Sequence, residues 1–274
     1  MYSTPTNPQD ELNMRSVFTQ FVQQFGVTIC GTMVWGWHGR TLSSEVRHPQ
    51  YGDCWLRLLA APKAKAGGKL WDGPRLAAER FDGRVHKAQM YASAPHLLGD
   101  FAYLAELSRA ITEPVCSEEP VLREELALPD RWWASLQADL DTVARSKSDR
   151  VAVRQEWIDR AVPQFLGVDP PQIREWAVAH GDLHLANLTA HTPFILDWEG
   201  FGLAPVGYDP ALLAAYSCLV PEFVKKVRDV FPVVQNEDGR AALLVVIADL
   251  LQSASRGDHP ELVPALHELA RTAI

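Results

Sequence analysis

One polar segment in the second half of this chain constrains its fold and chemistry more than any other feature. Residues 180–187 read His-Gly-Asp-Leu-His-Leu-Ala-Asn, and residues 194–199 read Phe-Ile-Leu-Asp-Trp-Glu. Asp182 and Asn187 are five residues apart, and Asp197 follows ten residues after Asn187. We call these three side chains the motif residues. Because apolar residues flank each of them, we expect a packed segment that presents all three to one cleft.

The apolar flanks predict how this segment folds. Residues 177–179 are Ala-Val-Ala and can end a buried segment, and Leu188 returns the chain to the core. Pro193 disfavours helix in the polar turn that follows. Residues 194–196 form a short apolar run that suits a buried strand. We therefore expect two short strands in a hairpin, with Asp197 just past the second strand.

The motif residues are the side-chain types that phosphoryl transfer from ATP requires. One carboxylate receives or orients the proton of the attacking hydroxyl, while an amide oxygen and a second carboxylate hold magnesium against the phosphates. The order His-x-Asp-Leu-x-x-x-Asn is that of the protein-kinase catalytic loop, with Gly181 in the place of the arginine. Asp197 then takes the place of the metal-binding aspartate of Asp-Phe-Gly.

At these residues the chain resembles the aminoglycoside phosphotransferase and choline kinase family. Members of that family carry His-Gly-Asp-x-x-x-x-Asn and then Asp-Trp-Glu or a similar triplet. Residues 207–211 resemble the family's segment ending in Asp-Leu-Ala, with Pro210 replacing the leucine. The resemblance is strong over residues 178–213 and weak in the N-terminal third, and the whole chain is most similar to small actinobacterial members. It implies that Asp209 braces the catalytic loop from the following helix.

The resemblance implies a two-lobed, protein-kinase-like α+β fold with ATP and Mg²⁺ as cofactors. We expect a small, β-rich, nucleotide-covering lobe over residues 1–93 and a larger, mainly helical, catalytic and acceptor-binding lobe over residues 94–274. Asp182 is the expected catalytic base or orienting group, and Asn187 and Asp197 are the expected magnesium ligands. The acceptor is a hydroxyl of a small molecule. Aminoglycosides, other antibiotics, amino-alcohols and sugars stay open, as do GTP in place of ATP and the oligomeric state.

The sequence pattern of the N-terminal third predicts a helix followed by three strands. The expected bounds are Asp10–Phe25 for the helix and Val27–Trp37, Thr41–Arg47 and Cys54–Leu59 for the strands. Gly36 and Gly39 lie in the first turn between strands, where glycine lets backbone N–H groups approach phosphate oxygens. Hairpin turns also use glycine for purely conformational reasons, so either explanation accounts for this pair.

The third predicted strand departs from the family pattern, because Arg57 stands where kinases usually carry a lysine. Arginine can bind phosphate with two hydrogen bonds, so we assign Arg57 to the nucleotide, with a strand-edge charge as the alternative. Glu79, in a helix predicted over residues 74–81, is the candidate partner of Arg57. His184 lies two residues after Asp182, where protein kinases keep a lysine, and it either contacts the transferred phosphate or lines the cleft.

The rest of the sequence predicts the connection between the lobes and the helices. A hinge is expected within residues 87–95, and the chain from Leu97 onwards is expected to be mainly helical. The helix candidates are Asp130–Ala144, Ala152–Phe165, Pro210–Leu219, Pro221–Phe231, Arg240–Ser255 and Pro260–Ala273.

Composition argues against several functional classes. The net charge of −8 disfavours a general nucleic-acid binder. The longest apolar run, residues 241–248, is far too short to cross a membrane. The four cysteines are scattered, and the first residues are polar, so we expect neither a disulfide framework nor a signal peptide. Together these features predict a cytoplasmic protein that contacts neither nucleic acid nor membrane.

Two other functional classes compete with a phosphotransferase. The first is a kinase-like nucleotide- or ligand-binding regulatory protein without turnover, suggested by the unusual third strand. The second is a zinc hydrolase, since His180, Asp182 and His184 alternate and His191 is near. Against zinc, the sequence has no His-Glu-x-x-His, and its cysteines lack ligand spacing. A zinc site would also leave Asn187 and Asp197 without a role.

Overall fold

The computed structural model describes residues 3–36 and 38–273. The chain forms two compact units. The first comprises Met1–Gly83 and Lys87–Thr112, and the second comprises Arg84–His86 and Glu113–Ile274. The two units are described separately.

The first unit is built on an antiparallel sheet of six strands. Their bounds are β1 Thr28–Ile29, β2 Val34–Trp35, β3 Thr41–His48, β4 Gly52–Pro62, β5 Met90–Leu98 and β6 Phe101–Arg109. The order across the sheet is β1-β3-β4-β6-β5, and β2 also pairs with β3. Arg57 is the central residue of one cross-strand row, opposite Ser43 on β3 and Glu106 on β6.

One face of this sheet packs against the first helix, α1 (Pro8–Gln24). The side chain of Asn7 caps the helix by accepting the N–H of Gln9 at 3.0 Å. The buried cluster draws on α1 and on alternate residues of the strands, since successive strand side chains point to opposite faces. It contains Met14, Val17, Phe18, Phe21, Leu42, Val46, Leu56, Leu58, Tyr103 and Leu107, among others. Arg57 and Glu106 therefore lie on the opposite face.

The strand predicted over Val27–Trp37 is only partly present. Two strands of two residues each, β1 and β2, replace it, and its last residue, Trp37, lies outside the described residues. The other expected strands and the N-terminal helix are confirmed, with β4 longer than predicted. A second helix, α2 (Lys69–Phe81), covers the predicted one and begins five residues earlier.

The predicted lobe boundary at residues 93/94 does not coincide with the division into two units. Residues 93 and 94 lie inside β5, which pairs with β6, and the chain passes between the units after Gly83, after His86 and after Thr112. The hinge expected within residues 87–95 begins directly after the second of these passages and stays a prediction. The sequence over 101–109, Phe-Ala-Tyr-Leu-Ala-Glu-Leu-Ser-Arg, is rich in helix-favouring residues, which explains the expectation of helix from Leu97 onwards. Its alternate residues Tyr103, Ala105 and Leu107 are buried together, so tertiary packing makes it a strand.

The second unit is mainly helical. Its helices are α3 Asp130–Ala144, α4 Gln155–Leu166, α5 Tyr208–Tyr216, α6 Pro221–Val230, α7 Glu237–Ala254 and α8 Val263–Arg271. All six predicted helices are confirmed, with shifted ends in every case except α3. Most of α7 is buried, and it packs against α4, α5 and α8. No helix in the described part of the chain has the length and apolar character that a bilayer crossing requires.

A small two-stranded sheet of β7 (Trp176–Ala179) and β8 (Gly202–Pro205) frames the motif. The predicted hairpin is reduced to one antiparallel bridge between Leu188 and Ile195. Sequence reasoning missed β8, because Gly-Leu-Ala-Pro carries no strand signal of its own. Antiparallel pairing of β7 with β8 brings the start and the end of the motif segment together.

Candidate active site

The expected catalytic loop, residues 180–187, begins where β7 ends, and glycine is required at its second residue. Gly181 has φ +86°, a conformation that disfavours side chains. A Cβ atom there would lie 2.7 Å from the carbonyl oxygen of Gly200. The close approach of these two backbones explains why glycine, rather than the arginine of protein kinases, precedes Asp182.

The buried carboxylate of Asp209 braces this loop from α5. Its Oδ2 accepts the N–H of His180 at 2.7 Å, and its Oδ1 accepts the N–H of Gly181 at 2.9 Å. The role expected from the family resemblance is therefore confirmed. Burial raises the pKa of Asp209, while its interaction with His180 and the two N–H groups act in the opposite direction.

His180 is a structural residue that connects the two halves of the motif. Its side chain is fully buried, and its Nε2 lies 2.9 Å from the carbonyl oxygen of Leu196. Its ring also packs edge-on against Trp198, with 4.9 Å between centroids. Burial lowers the pKa of His180, so the ring is neutral and Nε2–H donates to Leu196.

The side-chain amide of Asn187 binds Asp182 directly. Its nitrogen lies 2.9 Å from the backbone oxygen of Asp182, 3.3 Å from Oδ2 of the same residue, and 3.2 Å from Nε2 of His184. One 3₁₀ turn, Leu185–Asn187, gives the loop this geometry. These contacts use the amide nitrogen, so the amide oxygen is the atom of Asn187 that can bind a cation.

Asp197 is exposed, directly precedes a turn and has a left-handed backbone, at φ +56°. The residue before it, Leu196, donates its N–H to the carbonyl oxygen of Asn187 at 2.9 Å, so Asp197 is held beside the catalytic loop. Aspartate tolerates positive φ better than most residues, and such conformations concentrate at functional sites. The structure thus brings the three motif residues into one region of the second unit.

The carboxylate of Asp182 is in a strongly acidic environment. Its pKa is raised to about 7, first by loss of hydration and then by the charges of Asp197, Asp249 and Asp209, while the Asn187 amide acts to lower it. The side chain nevertheless keeps 47% of its surface accessible, so a substrate can reach it. Asp249, on α7, adds to the negative potential at Asp182. A bound divalent cation would offset this repulsion and lower the pKa of Asp182.

His184 lies within the site as a neutral side chain. Burial lowers its pKa to about 4, and the neighbouring His180 and His259 act in the same direction. Its Nε2 is 3.7 Å from Oδ1 of Asp182, and its ring packs edge-on against Tyr216 at 5.2 Å. A neutral imidazole does not supply the charge of the kinase lysine.

The alternating histidines do not build the zinc site considered from sequence. Among the residues that the structure describes, no group of three or more His, Cys, Asp or Glu side chains is arranged to hold a metal ion. Asn187 and Asp197 offer an amide oxygen and carboxylate oxygens, which are the types of ligand that magnesium prefers.

In the first unit, Arg57 forms an ion pair with Glu106. Nη1 of Arg57 lies 3.2 Å from Oε2 of Glu106, and both side chains are largely buried. The expected partner, Glu79, instead binds Arg75 one helical turn away, at 2.5 Å on an exposed face of α2. The expectation was wrong because the register of β4 and β6 places Glu106 directly opposite Arg57.

The turn between β2 and β3 contains the two predicted phosphate-covering glycines. The N–H of Gly36 donates to the carbonyl oxygen of Thr41 at 3.0 Å, and that of Gly39 donates to Gly36 at 3.2 Å. Gly39 has φ +67°, and a Cβ there would lie 2.5 Å from the backbone nitrogen of Pro5. Gly39 thus has a conformational reason, and Gly36 has a steric one, since a Cβ there would overlap Oγ1 of Thr41. The phosphate role of both glycines stays a prediction.

Comparison with known proteins agrees with this geometry. Residues 55–243 match the family described as "Phosphotransferase enzyme family". Among curated proteins, no sequence match was found. A structure of amicoumacin kinase hAmiN in complex with AMP-PNP, Ca²⁺ and Ami is similar, with TM-score 0.57, 11% identity and 93% of each chain covered.

A second similar structure is a protein assigned as a fructosamine-3-kinase, from Haemophilus somnus 129PT. Its TM-score is 0.54 at 9% identity, covering 94% of this chain and 96% of the other. At such low identity these likenesses establish the fold, which is protein-kinase-like with a β-rich N-terminal unit and a helical C-terminal unit. The match over residues 55–243 covers more than half of the sequence and includes every motif residue. The chain therefore belongs to the phosphotransferase enzyme family.

Proposed function

We propose that this protein transfers the γ-phosphoryl group of ATP to a hydroxyl of a small molecule, assisted by Mg²⁺. The observation that carries the proposal is the direct bond between the Asn187 amide and Asp182, beside the left-handed backbone at Asp197. The proposed base and the two proposed magnesium ligands thus lie on adjoining segments of one unit. Membership in the phosphotransferase family supports the same reaction class.

Asp182 is the proposed base or orienting group. The acceptor hydroxyl donates a hydrogen bond to its carboxylate, and the hydroxyl oxygen forms a bond to the γ-phosphorus as the bond from phosphorus to the β,γ-bridging oxygen breaks. The hydroxyl proton passes to Asp182 and then to solvent, and ADP is the leaving group. The carboxylate is partly accessible and held by Asn187, as positioned proton transfer requires.

Asn187 and Asp197 are the proposed ligands of magnesium, which neutralises charge on the phosphates when bound. Their oxygens match the preference of this ion. Loss of hydration is the first cause of the raised pKa of Asp182, and the charges of Asp197, Asp249 and Asp209 add to it; a divalent cation would offset these charges.

Arg57 is the proposed nucleotide-binding cation of the first unit. Its guanidinium is fixed by Glu106 in the central strands, so its orientation is set before nucleotide binds. Gly36 and Gly39 are proposed to cover the phosphates, and His184 to line the site next to Asp182 as a neutral group. We propose a cytoplasmic location, because ATP is available there.

The proposed acceptor is a small molecule that carries a hydroxyl group, and we propose no narrower class. Two similar structures are named as an amicoumacin kinase and a fructosamine-3-kinase, which supports a small-molecule acceptor here. The test is incubation of the protein with ATP, Mg²⁺ and a panel of aminoglycosides, other antibiotics, amino-alcohols and sugars. Mass spectrometry should detect a phosphorylated acceptor with wild type and none with Asp182→Asn. If wild type binds ATP but phosphorylates no member of a broad panel, a binding protein without turnover becomes the better account.

A further inference from the structure

The backbone that follows Asp197 is held by an arginine from a distant loop. Nε of Arg150 donates to the carbonyl oxygen of Phe201 at 2.9 Å, and Nη2 donates to that of Glu199 at 2.9 Å. The guanidinium carbon also lies 4.6 Å from the centroid of the Phe201 ring. One planar group thus fixes the chain two and four residues after Asp197.

Arg150 is itself anchored by backbone pairing. Its carbonyl oxygen accepts the N–H of Leu203 at 2.7 Å, and the oxygen of Leu203 accepts the N–H groups of Ala152 and Val153 at 2.8 and 3.0 Å. A Cβ at Gly202 would lie 2.7 Å from the nitrogen of Ala152, so the two segments are in direct backbone contact. The arginine therefore acts from a fixed position rather than from a mobile loop.

A second anchor holds the backbone that precedes Asp197. The N–H of Ile195 donates to the carbonyl oxygen of His86 at 2.7 Å. Oδ2 of the buried Asp139, on α3, accepts the N–H of His86 at 3.1 Å and lies 2.7 Å from its Nδ1. The His86 ring also packs edge-on against Phe194 at 5.8 Å.

The two anchors flank a conformation that a non-glycine residue adopts rarely. A left-handed residue such as Asp197 persists only where its surroundings over-determine it. Magnesium demands near-ideal coordination geometry, so the position of a ligating carboxylate decides the affinity.

We propose that Arg150 and the Asp139–His86 pair are positioning residues that set the carboxylate of Asp197 for magnesium binding. This inference rests on the proposed function, in which Asp197 is a metal ligand. Neither anchor contacts nucleotide or acceptor in this account; each acts through the backbone on one side of Asp197. Groups that orient metal ligands typically contribute about 10- to 100-fold to metal affinity.

The test is calorimetry of ATP binding, with excess Mg²⁺ and with EDTA, to wild type, Arg150→Lys and Arg145→Lys. Lysine keeps the charge but cannot donate to two carbonyls in one plane. We expect Arg150→Lys to weaken Mg²⁺-dependent binding about 10-fold or more, while binding in EDTA and the melting temperature stay near wild type. Arg145, exposed at the end of α3 and paired with Asp141, is the matched control and should behave as wild type.

Asp139→Leu removes both bonds to His86 and tests the second anchor with the same measurements. Equal Mg²⁺-dependent binding by wild type, Arg150→Lys and Asp139→Leu would overturn the inference. So would a parallel loss of binding with and without Mg²⁺, which would indicate general structural damage. Failure of wild type itself to bind ATP in a Mg²⁺-dependent manner would instead contradict the proposed function, so the two failures are distinguishable.

Discussion

The two units carry their proposed functional residues in different ways. In the second unit, Asp182 and Asn187 are bonded to each other within one loop, and a backbone bond ties Asp197 to the same loop. In the first unit, Arg57 obtains its orientation from Glu106, 49 residues away in sequence. Functional residues that contact one another within one short segment can be predicted from the sequence. A contact that depends on the register of two strands can be recognised only in the three-dimensional structure.

The largest effect is expected at the local site. Asp182→Asn keeps the shape of the side chain but removes its basicity, so turnover should fall about 100- to 10,000-fold. Binding of ATP with Mg²⁺ should be largely retained, because Asn187 and Asp197 are unchanged. Steady-state kinetics with an identified acceptor, together with calorimetry, measure both quantities. Unchanged turnover would remove Asp182 from the mechanism.

The corresponding test of the first unit is Arg57→Ala. Loss of a charged hydrogen bond to phosphate should raise the KM for ATP about tenfold or more, with a smaller change in kcat. Arg47→Ala is the control, since Arg47 is an exposed residue of the neighbouring strand paired with Asp53. If both variants keep the wild-type KM, Arg57 is a sheet residue with no nucleotide role.

A smaller effect, on stability, tests how tightly the catalytic loop is built. Gly181→Ala and Gly167→Ala each place alanine at positive φ, which costs about 1–2 kcal/mol. Only Gly181→Ala also forces a Cβ against the oxygen of Gly200, whereas the space around Gly167 is open. Urea denaturation should therefore show a larger loss of unfolding free energy for Gly181→Ala. Equal losses would mean that the backbone contact at Gly200 relaxes freely.

The smallest effect is expected at Glu79. Its partner Arg75 is exposed on the same helix, so Glu79→Gln should change stability by less than about 0.5 kcal/mol and leave the KM for ATP unchanged. Glu106→Gln should raise that KM, because it loosens Arg57. If Glu79→Gln raises the KM for ATP and Glu106→Gln does not, Glu79 is the functional partner of Arg57, as predicted from the sequence.

The sequence predicted most of the helices and the composition of the motif, because both signals are local. It also predicted the bracing carboxylate of Asp209 through the family resemblance, and the two N–H bonds confirm it. It failed at residues 101–109, where Leu, Ala and Glu favour helix and burial against α1 imposes a strand. The predicted lobe boundary differs from the division into units for the same reason.

Other features of the site have no signal in the sequence from which they could be predicted. Arg150 binds backbone carbonyls, and an arginine that does so is indistinguishable in sequence from a solvated one. The pairing of Arg57 with Glu106 depends on the register of two strands, which the sequence does not encode locally. Position in the fold, rather than residue type, makes these side chains functional candidates.

The measurement that tests the central claim most directly is calorimetry of ATP binding with Mg²⁺, on wild type and Asp197→Asn. Wild type should bind in a Mg²⁺-dependent manner, and the variant should lose that dependence, because a neutral amide replaces the carboxylate that we propose as a metal ligand. Retained Mg²⁺-dependent binding by Asp197→Asn would contradict the assignment of this residue as a magnesium ligand. The absence of binding by wild type would contradict the proposed phosphotransferase site as a whole.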